Sequence, residues 1–479
     1  MIDDSATGPS TRTETDSLGP IEVPSEHYWG AQTQRALANF DIGGPAERMP
    51  VEVIHAYGYV KLAAARVNAA NGDIPQPMAE LIERVATEVA SGRWDREFPL
   101  AVWQTGSGTQ TNMNVNEVIS NRCIELAGGV AGSKDPVHPN DHVNASQSSN
   151  DTFPTAMHVA ARLMLIDTVL PALDGLTTEI RDKADQWAGA VKIGRTHLQD
   201  ATPLTVGQEW SGYASALADS RDALIADSDG LLQLAAGGTA VGTGLNSREG
   251  FGEAVAAELA TVTGQPFVTA PNKFAALGTL DASVRCSGGL RNVAVTLFKI
   301  ANDLRWLGSG PRAGLGELRL PANEPGSSIM PGKINPTQAE AAQMVALQVM
   351  GNDATIAMAG KEGNLELNTF RPVVISNLLR SMRLLADTAR TFGEHLVRGT
   401  ELNHAAIERH VAGSAMLVTA LAPHIGYDEA AAIAHFALAE DLPLREAALR
   451  RGVDAALFDH VVRPIELTHP TPPHDPRAH

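Results

Sequence analysis

Cysteine, aromatic residues and positive charge are all scarce in this sequence. The 479 residues include only 2 cysteines, and aromatic residues make up 5% of the chain. Two cysteines cannot form a disulfide framework, so we expect both to remain thiols in a reducing compartment. The 37 lysines and arginines are outnumbered by 55 aspartates and glutamates, which gives a formal net charge of -18. Non-specific binding to nucleic acid or to anionic lipid needs clustered positive charge, so the composition argues against both.

Long apolar runs and recognisable targeting patterns are missing as well. No uninterrupted apolar run approaches the roughly 18 residues that cross a bilayer as a helix. Residues 1–17 are acidic and polar, and they contain neither the apolar core of a signal peptide nor the arginine-rich pattern of a transit peptide. From these absences we expect a cytoplasmic protein.

What the sequence does contain is long stretches of helical periodicity. Between residues 150 and 404, apolar residues recur at steps of three and four, which predicts helices with one apolar face. The clearest series is Val293, Leu297, Ile300, Leu304 and Leu307. The stretch 337–359 is apolar on nearly all sides, so the helix that it predicts must be buried on several sides. Several such helices predict a bundle, and their surplus apolar surface predicts that bundles associate.

The length and these patterns divide the chain into segments of different character. At 479 residues the chain exceeds the size of one typical core. We predict a mainly α fold, in which a central domain of long helices is flanked by smaller N- and C-terminal domains. The predicted segments are a disordered N-terminus (1–13), a mixed N-terminal domain (14–147), the central helical bundle (148–404), a small helical C-terminal domain (405–465) and a disordered tail (466–479).

The most informative segment is residues 326–336, Gly-Ser-Ser-Ile-Met-Pro-Gly-Lys-Ile-Asn-Pro. Its glycines, serines and prolines exclude a regular helix or strand, so we predict a loop held between rigid elements. Two hydroxyls, a lysine and a carboxamide on one loop suit a small anionic substrate. The segment is not a phosphate-binding P-loop, because five residues separate Gly326 from Gly332 and Ile334 stands where that motif needs Ser or Thr.

Three other segments carry polar groups suited to chemistry. Residues 106–114 place hydroxyls and backbone N–H groups at a predicted helix N-terminus, which is a natural receptor for a carboxylate. Residues 138–151 combine two histidines with serines and asparagines, but Pro139 argues against the helical spacing that a pair of histidine metal ligands would need. Residues 194–203 hold His197 in a turn that we predict between two helices, and histidine exchanges its proton near neutral pH.

A carboxylate in an apolar stretch and a glycine-rich segment are two further features of the sequence. Glu340 lies in the apolar stretch after the loop, so it needs a partner, and a histidine that it orients is the simplest choice. The glycines of residues 237–244 superficially match a dinucleotide-binding fingerprint, but Ser247 stands where the third glycine should be and no strand precedes them. We therefore interpret that segment as a turn between helices and expect no dinucleotide.

In this order and spacing, the four polar segments resemble the class II fumarate hydratase branch of the aspartase/fumarase superfamily. The resemblance extends from about residue 14 to about residue 460 and is carried by residues 326–340, 105–110 and 147–151. The last two segments are similar to the fumarase variants, where aspartases differ. Ala339 departs from the pattern, since fumarases commonly have cysteine there. The resemblance implies an aspartase/fumarase-like fold and a homotetramer whose central helices pool into one core, with active sites shared by three subunits.

The resemblance also implies an activity, the reversible hydration of fumarate to L-malate in the tricarboxylic acid cycle, with no metal and no organic cofactor. It implies that His197 and Ser327 exchange protons with the substrate and that Glu340 partners His197. It assigns substrate binding to Ser107, Gly108, Thr109, Ser148, Ser149, Asn150, Thr196, Ser328, Lys333, Ile334 and Asn335. The family's second dicarboxylate site would be formed by His138, Pro139, Asn140 and Asp141.

Several alternatives stay open at the level of the sequence. The base that removes the substrate proton is either Ser327, as an alkoxide stabilised by Lys333 and loop N–H groups, or a water activated by a histidine. A lyase of a sister branch would instead release ammonia from aspartate. A structural protein on the same fold, like some lens crystallins, would need no catalysis, although the polar loop residues are all present here. Asp135 lies just upstream of His138, where some relatives carry a cation, and predicts weak affinity at the second site.

Overall fold

A computed structural model describes residues 10–470, and the predicted mainly α fold is confirmed. The helices are α1 (Ala31–Asn39), α2 (Val51–Ala70), α3 (Gln76–Ala90), α4 (Thr109–Leu126), α5 (Ser149–Met164), α6 (Leu170–Gln186), α7 (Val206–Ser228), α8 (Phe251–Thr263), α9 (Lys273–Gly278), α10 (Asp281–Leu307), α11 (Thr337–Gly360), α12 (Arg371–Phe392), α13 (His404–Gly413), α14 (Ala422–Ile425), α15 (Tyr427–Ala439), α16 (Leu444–Arg450) and α17 (Ala455–Val461). The strands are β1 (Thr11–Asp16), β2 (Gly19–Pro24), β3 (Val191–Thr196), β4 (Gln199–Thr205), β5 (Gln233–Leu234), β6 (Val268–Thr269), β7 (Leu318–Arg319) and β8 (Glu401–Leu402).

The long helices bury the faces that the apolar periodicity marks. In α10, Val293, Leu297 and Leu304 are buried, whereas Arg291 and Lys299 lie off that face and are exposed. The helix takes this orientation because each buried methylene group stabilises the fold by about 0.8 kcal/mol relative to exposure to water.

The helix α11 is less enclosed than the sequence predicts. We expected burial on several sides, but Met344, Leu347 and Met358 are exposed in this chain. Their spacing places them on one face of the helix, while Val349 and Ile356 are buried on the other. The difference arises because a single chain supplies packing partners for only one side of this helix.

Pro171 accompanies a break in the helical stretch that contains it. The α-helical bonding of α5 ends at Met164, a π-helical turn covers Leu165–Val169, and α6 then begins. Proline lacks an N–H donor and its ring clashes with the preceding turn, so the hydrogen-bond register shifts just ahead of it. Within residues 10–470, Ser149–Gln186 is the one helical stretch long and apolar enough to cross a membrane, but 61% of its apolar window is buried inside the protein, which is typical of a core helix.

Two compact units make up the chain. The first comprises Met1–Pro171, Arg221–Ala294 and Ala346–Ala386, and the second comprises Ala172–Ser220, Val295–Val345 and Asp387–His479. The boundaries between these stretches fall inside the long helices α6, α7, α10, α11 and α12. Each unit is therefore assembled from three separated parts of the sequence, and the division into three sequential domains stays a prediction.

Each unit has its own apolar core. In the first, α2 packs against α3, α5 and α8, and Tyr57 and Ile82 are fully buried there. In the second, Leu421, Ile433 and Ala447 of the C-terminal helices cluster with Ile193 of β3. The core of the second unit therefore anchors the β3 strand, which leads to His197.

The strands form two-stranded sheets, of which β1–β2, β3–β4 and β7–β8 are antiparallel and β5–β6 is parallel. The prediction of disorder was wrong for residues 11–13, because they belong to β1 and Thr11 pairs with Pro24. It was also wrong for residues 466–468, because a short 3-10 helix covers Pro464–Thr468 and packs against β4. The remaining residues of those two predicted segments, apart from residues 10, 469 and 470, lie outside the described part of the chain.

Candidate active site

The N-terminus of α4 forms one part of the candidate site and lies in the first unit. Gly108 caps this helix, and Ser107 before it is 8% exposed. The hydroxyl oxygens of Ser107 and Thr109 are 2.8 Å apart, and that of Thr109 is also 2.8 Å from the Ser149 hydroxyl oxygen. Since Ser149 begins α5, this chain of hydroxyls joins the starts of two helices. The positive dipole ends of both helices favour a bound anion.

A reciprocal cap fixes the start of α5. Ser148 Oγ accepts a hydrogen bond of 3.2 Å from the Asn150 N–H, and Asp151 Oδ1 accepts one of 3.0 Å from the Ser148 N–H. The other Asp151 oxygen accepts hydrogen bonds from the N–H groups of Gly237 and Thr239, at 3.0 and 2.9 Å. Burial raises the pKa of Asp151, although these backbone donors act in the opposite direction. The glycine-rich segment is a turn, as predicted, but it follows the short strand β5 and not a helix, so the expectation of a turn between two helices with no preceding strand was wrong. The segment supports the site through its backbone.

Asn150 is held in place by its surroundings. Its side-chain Nδ2 donates to the Ala240 carbonyl oxygen at 2.8 Å. Its backbone carbonyl oxygen accepts a hydrogen bond of 2.6 Å from the Arg371 side chain. Arg371 is 0% exposed, and burial lowers its pKa to about 10. A buried cation therefore lies behind the first turn of α5, where several predicted substrate-binding residues are found.

Lys61 on α2 is a candidate functional residue that the sequence analysis missed. Its fully buried Nζ donates hydrogen bonds to the side-chain oxygens of Asn112, Asn144 and Gln147, at 2.8, 3.1 and 3.1 Å. These bonds connect α4 with the segment that leads into α5. Burial lowers the pKa of Lys61 to about 7. The available signal was a single lysine within the apolar residues 59–65, where an unpaired charge would not be tolerated.

The four residues of the predicted second dicarboxylate site form a compact cap in the first unit. His138 Nδ1 accepts hydrogen bonds from the N–H groups of Asn140 and Asp141, both at 3.1 Å, and Pro139 begins a π-helical turn. Burial lowers the pKa of His138, which favours the neutral ring. With Nδ1 as an acceptor, the ring proton is assigned to Nε2, which is then a hydrogen-bond donor. Binding of a dicarboxylate here stays a prediction.

His197 lies in the second unit, at the tip of the β3–β4 hairpin. We predicted a turn between two helices, whereas the structure shows a two-residue β-turn in which His197 and Leu198 have φ angles of 57° and 60°. Positive φ at both central residues is typical of a type I′ turn, whose backbone twist matches the right-handed twist of the two flanking strands. Thr196 pairs with Gln199 across the turn, and both predicted site residues, Thr196 and His197, are exposed.

Residues 326–336 form a loop, as predicted, and this loop closes on itself. The Gly326 N–H donates to the Lys333 carbonyl oxygen at 3.0 Å, and a Cβ at position 326 would lie 2.1 Å from that oxygen, so glycine is required. Asn335 Nδ2 donates to the Gly326 carbonyl oxygen at 2.5 Å, and Lys333 Nζ donates to Asn335 Oδ1 at 2.8 Å. Two predicted substrate-binding side chains thus contact each other and join the ends of the loop.

Ser327 stands out within this loop because of the hydrogen bonds that its hydroxyl accepts. Its Oγ accepts from the N–H groups of Ile329 and Met330, at 3.2 and 2.9 Å. Two N–H donors aimed at one oxygen stabilise negative charge on it, as an oxyanion hole does. Ser327 is half-buried, whereas Ser328 and Ile334 are exposed. The loop therefore favours alkoxide character at Ser327.

Glu340 lies in the first turn of α11, close behind the loop. Its Oε1 is 3.8 Å from a guanidinium nitrogen of Arg305, and 46% of its side chain is exposed. In the part of the chain that the structure describes, the charged group within 4 Å of Glu340 is therefore an arginine and not the predicted histidine. The pairing of Glu340 with His197 stays a prediction.

The predicted site residues are thus distributed over both units. The helix starts around Ser107, Thr109 and Ser149 belong to the first unit, whereas His197 and the loop 326–336 belong to the second. Within residues 10–470, no group of three or more His, Cys, Asp or Glu side chains is placed to hold a metal ion. The first set of residues suits a small anion, and the second set suits proton transfer by serine and histidine.

Comparisons with known proteins agree with this chemistry. The family model described as "Lyase" matches residues 19–351, and the one described as "Fumarase C C-terminus" matches residues 417–469. The crystal structure of recombinant class II fumarase from Schistosoma mansoni resembles this chain with a TM-score of 0.94 and 45% identity, covering 96% of this chain and 99% of that one. Fold and site therefore define a lyase of the aspartase/fumarase-like fold.

Curated relatives narrow this class further. The chain is 60% identical to the class II fumarate hydratase of Methanosarcina acetivorans, over 97% of this chain and 96% of the relative. It is 59% identical to the class II fumarate hydratase of Thermosynechococcus vestitus, over 95% of this chain and 97% of the relative. The chain belongs to the class II fumarate hydratase family, so the family predicted from the sequence is confirmed.

Proposed function

We propose that this protein catalyses the reversible hydration of fumarate to L-malate in the tricarboxylic acid cycle. Membership in the class II fumarate hydratase family and the chemistry of the two sets of site residues support this activity. In the direction of malate dehydration, a proton leaves C3 and hydroxide leaves C2 on the opposite face. The reaction needs a base at C3, an acid at C2 and donors that stabilise charge on the carboxylate next to C3.

The pair of N–H groups on Ser327 Oγ is the observation that carries the proposal. A serine hydroxyl is a poor base in water because its alkoxide is too unstable to form near neutral pH. Donors at 3.2 and 2.9 Å reduce that penalty, and each well-placed donor of this kind contributes about 3 kcal/mol in oxyanion sites. The ammonium group of Lys333, on the same loop, adds positive charge. Ser327 therefore takes the C3 proton.

His197 supplies the acid in this mechanism. Dehydration expels hydroxide from C2, which is a poor leaving group unless it is protonated as the bond breaks. A histidine side chain suits the donation and later recovery of a proton near neutral pH. The hairpin tip presents His197 as an exposed side chain directly after β3, a strand that the core anchors.

The remaining polar residues bind the two carboxylates of the substrate. The hydroxyls of Ser107, Thr109 and Ser149, at two helix N-termini, form the receptor for one carboxylate. Lys333 and Asn335 meet the charge that builds on the other carboxylate as the C3 proton leaves, which is where stabilisation accelerates the reaction. These groups cover both proton transfers and the developing charge, so the mechanism includes no metal and no organic cofactor.

We further propose that the active enzyme is a homotetramer in which each site combines residues of three subunits. The helix α11 exposes Met344, Leu347 and Met358 to 65%, 59% and 65%, and large apolar side chains exposed along one helix face are characteristic of an interface. Glu340 is half-exposed on the same helix, where His197 of the partner subunit would orient against its carboxylate. A second dicarboxylate site at the His138 cap and a cytoplasmic location complete the proposal.

Fumarate formation tests the activity directly, because the conjugated double bond of fumarate absorbs in the ultraviolet. The purified full-length protein is given L-malate and, separately, L-aspartate, each with a chelator and no added metal. We expect fumarate from malate alone. Fumarate from aspartate alone would reassign the protein to the ammonia-lyase branch, and no fumarate from either substrate would favour a non-catalytic structural protein.

A further inference from the structure

A buried charge cluster in the second unit joins the β3–β4 hairpin to the segment after α10. The side chain of Glu317 is 2% exposed, and its Oε1 lies 2.8 Å from Nη2 of Arg195 and 3.1 Å from Nδ1 of His410. Its Oε2 lies 2.9 Å from Nζ of Lys192, which also contacts Oε1 of Glu209 at 2.7 Å. Both cations that flank Glu317 belong to β3, so one carboxylate holds two points of the same strand.

Two cations on one strand reach the same carboxylate because β3 contains a bulge. Side chains alternate between the faces of a strand, so positions three apart, such as Lys192 and Arg195, normally point to opposite faces. The pairing register shifts between Ile193 and Arg195, and the extra residue turns both cations to one side. A Cβ on Gly194 would lie 2.7 Å from the Thr202 carbonyl oxygen, so the bulge requires glycine.

The backbone of Glu317 is held as firmly as its side chain. Its N–H donates to the Leu307 carbonyl oxygen at the end of α10, and its carbonyl oxygen accepts from the Asn403 N–H, both at 2.9 Å. Burial alone would raise the pKa of Glu317, but Lys192 and Arg195 lower it below its usual value. The residue is therefore a fixed negative charge against which the strand is oriented.

We propose that Glu317 is a positioning residue that sets the direction of the His197 turn through Arg195. The Arg195 side chain is 14% exposed, whereas Thr196 and His197 are exposed, so Arg195 is the last anchored side chain of β3 before the turn. Glu317 acts on the reaction only through this anchor. The inference rests on the proposed function, since it takes His197 as the group that protonates the leaving hydroxide.

The test compares Glu317→Gln with Glu408→Gln in the full-length protein. The glutamine at 317 keeps the volume but removes the charge, so Arg195 loses its buried carboxylate partner, whereas Lys192 keeps its contact with Glu209. We expect kcat to fall about 100-fold while KM changes less than about threefold, because a misplacement of about 1 Å costs a factor of this size. Glu408 is an exposed glutamate on α13 outside the cluster, and its variant should keep the wild-type kcat.

Amide hydrogen exchange gives a readout that does not depend on activity. In Glu317→Gln we expect exchange at residues 195–200 to accelerate about tenfold or more, with exchange in α2 unchanged. Because this measurement needs no substrate, it decides the positioning role even if the wild-type protein neither forms nor consumes fumarate. A wild-type protein without activity on either substrate would overturn the proposed function, but the exchange result would still decide the positioning role.

A double-mutant cycle separates action through Arg195 from any other route. If Glu317 acts through Arg195, the kcat of the double variant Glu317→Gln/Arg195→Gln is at most about threefold below that of the less active single variant. Fully additive losses, or wild-type kcat and exchange in Glu317→Gln, would overturn the proposal. Glu317→Asp serves if the glutamine variant fails to fold, since it keeps the charge but withdraws the carboxylate by about 1.5 Å. Wild-type kcat and exchange in that variant would equally overturn it.

Discussion

The two sets of site residues differ in how much of their surroundings a single chain provides. The hydroxyls of Ser107, Thr109 and Ser149 are linked in steps of 2.8 Å, and the buried Lys61 fixes the segments behind them. By contrast, His197 projects from an exposed turn and much of the loop 326–336 is exposed. The proposed anion receptor is therefore already arranged within one chain, whereas the proposed proton-transfer residues lack an enclosing environment there.

This contrast has a physical consequence for catalysis. Charges and hydrogen-bond donors that face water are screened, and the same groups stabilise a developing charge much more strongly in a dry site. The exposed apolar face of α11 provides a reason for copies of the chain to associate. In the proposed tetramer, assembly would supply the enclosure that Ser327 and His197 need.

The largest expected effect comes from Ser327, whose hydroxyl is the proposed base. Ser327→Ala should lower kcat about 1,000-fold with little change in KM, because the base is lost while the carboxylate receptor stays intact. Steady-state kinetics with L-malate and with fumarate measure both constants. Ser328→Ala, which removes a neighbouring exposed hydroxyl, should lose far less. A loss of less than about tenfold in Ser327→Ala would instead favour a histidine-activated water as the base.

Breaking the association should remove the catalytic environment while leaving each chain folded. Met344→Glu places a charge in the exposed apolar face of α11, so we expect the tetramer to dissociate and the activity to fall about 100-fold or more. Sedimentation velocity measures the assembly. The matched control is Leu438→Glu on α15, where an apolar residue is also exposed, to 67%. Full activity in a dissociated Met344→Glu protein would show that one chain holds a complete site.

A change in the anion receptor should affect binding rather than chemistry. Thr109→Val keeps the shape of the side chain but removes the hydroxyl that links Ser107 to Ser149. We expect KM to rise about tenfold with kcat within about threefold, since a hydrogen bond to a charged group contributes about 1.5 kcal/mol or more. Thr178→Val, on the exposed face of α6, is the control. A fall in kcat at unchanged KM would place this hydroxyl in the chemical step instead.

The smallest predicted effect concerns stability and its dependence on pH. The pKa of Lys61 is about 7 when folded, against 10.5 for the free side chain, so the unfolded chain binds more protons between these values. Stability therefore rises with pH in this window, by about 1 kcal/mol between pH 7 and about pH 8 for this group. Lys61→Met should lack this increment in urea unfolding at the two pH values. An equal rise in the free energy of unfolding with pH in both proteins would contradict the titration of a buried lysine.

The sequence was sufficient for the features that depend on local composition. The breakers in 326–336 predicted a loop, and the apolar steps in α10 predicted its buried face. The turn at His197 was placed correctly but not its flanking strands, because the bulge at Gly194 disrupts the alternation by which a strand is recognised. The family signature then supplied roles that no single segment could specify.

What the sequence could not give depends on contacts between distant residues. Lys61 is separated from Gln147 by much of the first unit, so its place behind α5 could not be read from local pattern. The cluster at Glu317 likewise depends on three separate stretches of the second unit. The predicted partner of Glu340 shows the same limit, since the cation within 4 Å of Glu340 among residues 10–470 is Arg305.

Subunit complementation tests the central claim, that the proton-transfer residues of one site come from different copies of the chain. Chains carrying Ser327→Ala and chains carrying His197→Asn are each inactive in this account. After equal amounts are mixed, dissociated and reassembled, random assembly should place both intact residues in about a quarter of the sites, with activity recovered in proportion. Recovery of about a quarter of the wild-type rate is the predicted result, and no recovery in properly reassembled tetramers would contradict the account.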